Sequence, residues 1–159
     1  MLWIGLLYYF NLVQIPALAA AAEDKGGPGG AAITRYVAPR ALLWFRWAAA
    51  ATWFTGVWCL ARSGNLGGAF ALGMTSDPVN YYQLVIGIGA WLGTIMLFNV
   101  WVLIWPNQKK ILGMVAATDD EKNQARRVAF LASRTNTMLS IPMLFFMAGG
   151  WSHRALFGL

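Results

Sequence analysis

The chain has 159 residues, of which 58% are hydrophobic and only 11% are charged. Its mean hydropathy of +0.53 departs from soluble globular proteins toward membrane proteins. The formal charge is +6, but the basic residues lie between apolar runs rather than in one stripe, which disfavours nucleic-acid binding. One cysteine, Cys59, excludes a disulfide framework, and one histidine, His153, excludes a bis-histidine haem within this chain.

The first apolar run, residues 1–22, is predicted to be a transmembrane helix because it can cross a hydrocarbon core about 30 Å thick. A cleaved signal peptide is the alternative, since the run ends in ALAAAA, although a basic N-terminal region is missing. Residues 23–39 have a glycine-rich and proline-containing centre and are predicted to form a loop. A second helix is predicted over residues 40–62, with Pro39 fitting its first turn.

The next stretch, residues 63–78, is rich in glycine and polar residues and is predicted to be a flexible connection. A third helix is predicted over residues 79–105, and Pro106 is expected to end it. Gly89 and Gly93 have the GxxxG spacing that allows close helix packing in membranes.

The most charged part of the chain, residues 107–127, is predicted to be a connection in which TDDE, residues 118–121, reads as a helix start. The fourth helix is predicted over residues 128–150, with a kink at Pro142. The sequence therefore predicts an all-α membrane protein, a single domain over residues 1–159 built as a four-transmembrane-helix bundle.

The orientation follows from the Lys and Arg residues near the helix ends. Eight lie in the loops at residues 23–40 and 106–127, against two on the other side. Because short cytoplasmic loops carry an excess of positive charge, both loops are expected in the cytoplasm of a bacterial inner membrane, with both termini periplasmic. The eight are Lys25, Arg35, Arg40, Lys109, Lys110, Lys122, Arg126 and Arg127.

Each predicted helix carries one polar residue at a similar distance from its cytoplasmic end: Gln14, Arg46, Asn99 and Arg134. Helical rise places all of them roughly 10 Å inside that end. No acidic residue lies in any span to pair with the two arginines. One interpretation is snorkelling to lipid phosphate, with the two amides joining helices. The other is a site for an anion, for the carboxylates of a cofactor or substrate, or for acidic groups of another subunit. No catalytic residue and no metal ligand is assigned.

Four tracts resemble, in order along the chain, the membrane (N-terminal) domain of PuuD-type urate hydroxylases, the bacterial urate oxidases coupled to cytochrome c. The most specific tract is Asn99–Lys110, which combines an intramembrane Asn, a Pro and a basic pair. The tracts are LWIGLLYYFNLVQIPALA, RYVAPRALLWFRWAA, FNVWVLIWPNQKK and ASRTNTMLSIPMLFFM.

The resemblance implies oxidation of urate by a multi-helix membrane domain that passes electrons to a cytochrome c. No CxxCH haem-attachment motif occurs, so no cofactor is encoded by a motif and the chain resembles a short, four-helix form whose cytochrome c is a separate partner. For an anionic purine, Arg46 and Arg134 would be the charge partners. Asn99 and Gln14 would form hydrogen bonds with its carbonyl and imide groups. The alternative is a non-catalytic accessory or structural subunit of a larger respiratory, photosynthetic or oxygenase membrane complex.

Overall fold

The computed structural model describes residues 1–76 and 78–152, excluding the side chains of residues 149–152. All regular secondary structure in these residues is helical, without a strand, which confirms the predicted all-α class. His153 lies outside the described residues. The helices are α1 (Leu2–Glu23), α2 (Ala38–Arg62), α3 (Leu66–Phe70), α4 (Tyr81–Ile111) and α5 (Asp119–Ser152).

Two of these helices, α1 and α4, are long and apolar enough to cross a membrane by length and composition. The other two long helices carry more charge. Arg40, Arg46 and Arg62 lie in α2, and α5 opens with Asp119 and other charged residues. The four long helices overlap the four predicted ones.

Three π-helical segments, each followed by a proline, interrupt the regular α-helical geometry. They are Tyr9–Gln14 in α1, Ile33–Val37 just before α2 and Asn99–Ile104 in α4. Proline is the second residue after each segment, at Pro16, Pro39 and Pro106. The residue before each proline donates its N–H to the carbonyl five residues back, as Ile15 to Phe10, Ala38 to Ile33 and Trp105 to Val100.

This pattern has a steric cause. A proline ring crowds the carbonyl of the preceding turn and has no N–H to offer it, and a wider π turn makes room for the ring. The prediction that Pro106 ends the third helix is therefore wrong, because α4 continues to Ile111.

The start of α5 is a reciprocal capping box. The Thr118 N–H donates to Glu121 Oε2 at 2.8 Å, and the Glu121 N–H donates to Thr118 Oγ1 at 3.3 Å. The bond from the Thr118 N–H, a second bond from the Thr118 hydroxyl and the positive charge of Lys110 hold the pKa of Glu121 below its usual range. The predicted helix start at TDDE is confirmed, but the helix runs on from there, so its predicted beginning at residue 128 is too late. Lys, Arg and Glu are good helix formers, and acidic residues such as Asp119 are favoured in the first turn of a helix, which a boundary drawn from hydropathy does not take into account.

The described chain divides into two compact units. The first comprises Met1–Ala50 and Phe98–Thr137, and the second comprises Ala51–Leu97 and the residues from Met138 onward. The boundaries fall inside α2, α4 and α5.

In the second unit, the predicted flexible connection at residues 63–78 contains an ordered helix, α3. Ala69 of α3 is fully buried in a cluster with Leu60 and Ile86. A Cβ on Gly87 would strike the Ala69 carbonyl oxygen, so α3 approaches α4 closely at that glycine. The Trp91 indole N–H also donates to the Phe70 carbonyl at 3.1 Å. Glycine and small residues here favour close packing, where the sequence pattern had suggested mobility.

Candidate functional site

A buried hydrogen bond in the first unit joins α4 to α5. The Asn99 side-chain amide donates to Asn136 Oδ1 at 2.8 Å, and Asn136 is fully buried. Asn99 is the first residue of the π segment in α4. Asn99 was predicted from the sequence, whereas Asn136 was missed because only one polar residue was taken from each helix. The signal was available, since Asn136 lies well inside the predicted fourth helix.

A second polar contact joins α1 to α5. Asn11, in the π segment of α1, donates from Nδ2 to the Leu7 carbonyl at 2.9 Å and to Ser133 Oγ at 2.7 Å. Asn11 is 4% exposed, and its Oδ1 is buried with no hydrogen-bond partner within the described residues. Gln14 Oε1, from the same π segment, is also buried with no hydrogen-bond partner within the described residues. Two amide carbonyls of α1 are thus left as free acceptors.

Arg46 in α2 contacts aromatic rings of α4. Its guanidinium carbon lies 3.6 Å from the centre of the Trp105 ring and 5.8 Å from that of Trp101. Its Nε and Nη1 are buried and have no hydrogen-bond partner among residues 1–76 and 78–152. The ring faces attract the cation, but they leave these N–H donors unsatisfied. The two tryptophans were not predicted from the sequence as partners of this arginine.

Arg134 in α5 has a different environment. Its side chain is exposed, with the guanidinium carbon 4.9 Å from the centre of the Phe130 ring. The sequence predicts Arg134 and Arg46 at the same depth along their helices. Their burial differs because it depends on the face of the helix that each side chain occupies. Of the four predicted residues, Arg46 and Gln14 therefore carry unsatisfied buried groups, Asn99 is paired with Asn136, and Arg134 is exposed.

The first unit also contains a cavity of about 630 Å³ lined by residues of α1, α2 and α4, by the start of α5 and by Thr34 before α2. Gln14 is the predicted site residue that lines it. Apolar side chains make up most of the lining. The polar and charged lining residues are Gln14, Thr34, Gln108, Arg126, Arg127 and Ser133.

Metal ligands are scarce in the described part of the chain. Residues 1–76 and 78–152 contain no group of three or more His, Cys, Asp or Glu side chains placed to hold a metal ion. Cys59 is a free, exposed thiol.

These features define a helical protein with two helices suited to a bilayer and with several buried polar residues in one unit. Residues 81–155 match the family described as Urate oxidase N-terminal. The match begins at the start of α4, covers just under half of the chain, and includes Asn99, Asn136 and Arg134. It supports the resemblance to that family, and two of the four tracts lie within it. No curated protein and no solved structure shows significant similarity to the chain.

Proposed function

We propose that this chain is an integral membrane component of the urate-hydroxylase type, with four helices crossing a bacterial inner membrane. Exposed aromatic residues on α2 support lipid contact for a helix that is less apolar than α1 or α4. Trp44, Phe54 and Trp58 are each more than 60% exposed. Water around so many large apolar side chains would be unfavourable, whereas lipid tails would not. On α5, Met138 and Ile141 are similarly exposed.

In the proposed topology, the loops at residues 23–40 and 106–127 are cytoplasmic and both termini are periplasmic. Labelling of single cysteines from outside the cell tests it, after the native thiol is removed by Cys59→Ala. Lys110→Cys, in the second of these loops, should be protected from the labelling reagent. Ser63→Cys, in the connection at residues 63–78, should be labelled. Labelling of Lys110→Cys in intact cells would contradict the topology.

The proposed activity is binding of urate in the first unit and its oxidation. Urate takes up the oxygen of one water molecule and loses two protons and two electrons, and two ferric haems of a separate cytochrome c each accept one electron. One observation carries the ligand site: unsatisfied buried donors on Arg46 lie in the same unit as unsatisfied buried acceptors on Asn11 and Gln14. Buried polar groups without partners are unfavourable, so a ligand that offers both kinds of group would stabilise them. A purine anion presents carbonyl oxygens and ring N–H groups on one flat frame, and it can stack on tryptophan.

Equilibrium binding of urate to the chain in lipid nanodiscs tests this site. Arg46→Gln removes charge-assisted hydrogen bonds and should weaken binding at least about 10-fold. Arg134→Gln should weaken binding less, because its guanidinium is exposed. The control Arg35→Gln, an exposed arginine beside Tyr36, should have no effect. Unchanged urate binding in the Arg46 variant would argue against the site.

The redox step is tested separately by adding oxidised cytochrome c and urate to the same nanodiscs and following the haem absorbance. Reduction should require both the chain and urate. Binding of urate without reduction of the cytochrome would favour the second candidate function.

That second candidate is an accessory subunit of a larger membrane complex, and one surface of α2 favours it. A Cβ on Gly56 would meet no atom within 4 Å, and Thr52, one turn earlier, is exposed. Small residues uncovered in this way allow a helix of another membrane protein to approach closely. Gly56→Leu should then abolish co-purification with stoichiometric partners and leave urate binding unchanged. Retained partners in that variant would remove the support for this candidate.

A further inference from the structure

The cavity of the first unit lies toward the ends of its helices that join the two cationic loops. Its lining includes Ile104, Gln108 and Leu112 near the end of α4, and Arg126 and Arg127 within the first turns of α5. In the proposed topology this end faces the cytoplasm, where anionic lipid headgroups are recognised by basic pockets between helices. The location therefore suits a ligand that enters from the cytoplasmic leaflet.

The charged groups of the cavity select an anion. Arg126 and Arg127 are its cationic lining residues, and no Asp or Glu lines it. Both side chains are exposed, and Arg126 donates from Nη1 to Asn123 Oδ1 at 2.9 Å. Each guanidinium retains further N–H donors in the planar arrangement that matches phosphate oxygens.

The remaining wall selects a hydrocarbon chain. Leu18, Leu42, Phe45 and Ile104 are among the apolar side chains that dominate the lining. A small soluble anion would gain nothing from this wall, whereas an acyl chain would bury apolar surface along it.

We propose that this cavity binds one anionic phospholipid, with the phosphate on Arg126 and Arg127 and one acyl chain between the apolar residues of the wall. The inference rests on the membrane location proposed above. The phosphate contacts use neither Arg46 nor its tryptophan partners, and Gln14 is the one residue of the proposed urate site that also lines the cavity. Substitution of Arg126 and Arg127 therefore tests the lipid site without removing a group of the urate site.

Native mass spectrometry of the detergent-purified chain with phosphatidylglycerol or phosphatidylcholine tests the headgroup. The wild-type chain should retain phosphatidylglycerol preferentially. The double variant Arg126→Gln/Arg127→Gln should bind it roughly 30-fold more weakly, since each basic side chain contributes about a factor of five. The matched control Lys110→Gln/Lys122→Gln removes the same charge from the same loop and should bind like wild type. Equal retention of both lipids, or equal losses in the two double variants, would overturn the proposal.

Two further arms separate lipid from free phosphate and avoid any effect of substitution on folding. Inorganic phosphate should fail to displace bound phosphatidylglycerol, because it lacks the acyl chain, and complete displacement would overturn the proposal. A phosphatidylglycerol with a photoreactive acyl chain, added to the wild-type protein in bilayers, should crosslink to Leu42, Phe45 or Ile104. Crosslinks confined to exposed outer residues such as Trp44 and Phe54 would also overturn it.

Discussion

The guanidinium of Arg46 lies over the face of Trp105, 3.6 Å from the ring centre to the guanidinium carbon. Lys109 approaches the same ring, with Nζ 5.7 Å from its centre, and Trp101 packs edge-on against Trp47 with ring centres 5.6 Å apart. This arrangement explains how a cation is held in α2 without an acidic partner among the described residues. The ring quadrupoles supply the attraction.

A double-mutant cycle between Arg46 and Trp105 should therefore show coupling. Arg46→Met and Trp105→Leu should each lower the free energy of unfolding in detergent, and their coupling should be about 1 kcal/mol in favour of the wild-type pair. The exposed pair Arg35 and Tyr36, 5.6 Å apart, is the control and should couple less. Strict additivity at Arg46 and Trp105 would show that the stacking contributes no stability.

The Asn99–Asn136 hydrogen bond is expected to stabilise the first unit. Asn99→Ala leaves the buried Asn136 carbonyl without this donor and should cost about 1–3 kcal/mol of unfolding free energy in detergent. Asn107→Ala is the matched control, because the Asn107 side chain donates only to Leu103 of its own helix at 2.7 Å. Equal destabilisation by the two substitutions would show that the hydrogen bond between α4 and α5 contributes no more stability than one within a single helix.

Glycine substitutions in α4 should separate close packing from helix propensity. Gly87→Ala forces a methyl group against the Ala69 carbonyl and should destabilise the protein by about 1–3 kcal/mol. Gly93→Ala meets no atom within 4 Å and should be neutral or stabilising by up to about 1 kcal/mol, since alanine is the better helix former. Thermal unfolding of both variants in detergent provides the comparison, and a stable Gly87→Ala protein would refute the close approach of α3.

The capping box at α5 predicts a pH dependence. Because the pKa of Glu121 is lower in the folded protein, its carboxylate stabilises the helix start above the unfolded pKa, and this contribution is lost as pH falls through the folded pKa. Glu121→Gln should therefore unfold more readily than wild type at neutral pH, and the difference should shrink in acid. Circular dichroism melts at neutral and acidic pH measure it. A difference that stays constant across this range would rule out the ionised cap.

The accuracy of the predicted helix bounds depends on the physical property that each sequence rule measures. Hydropathy located α1, α2, α4 and α5, because long apolar runs are strong local signals. It placed the start of α5 too late, since Asp119 and its neighbours are helical without being apolar. Proline rules gave the wrong end for α4, because the tolerance of Pro106 comes from the π turn before it.

The candidate site was only partly predictable for a related reason. Depth along a helix can be counted from the sequence, and it singled out Gln14, Arg46, Asn99 and Arg134. The direction in which each side chain points depends on tertiary packing, so Asn136 and Trp105 were missed as partners of Asn99 and Arg46. The hydrogen bond between Asn11 and Ser133 was also missed. Arg126 and Arg127 were used only as evidence for the membrane topology, although both side chains line the cavity.

The π turns have a consequence for how such helices present their two faces. Each turn contains one residue more than the α-helical repeat allows for, which rotates everything beyond it by about 100° relative to an uninterrupted α-helix. In α1 and α4 a single helical wheel therefore fails across the segments that contain Asn11 and Asn99. Removing one residue from either segment would rotate the downstream half of that helix out of phase, turning exposed positions inward while leaving composition almost unchanged.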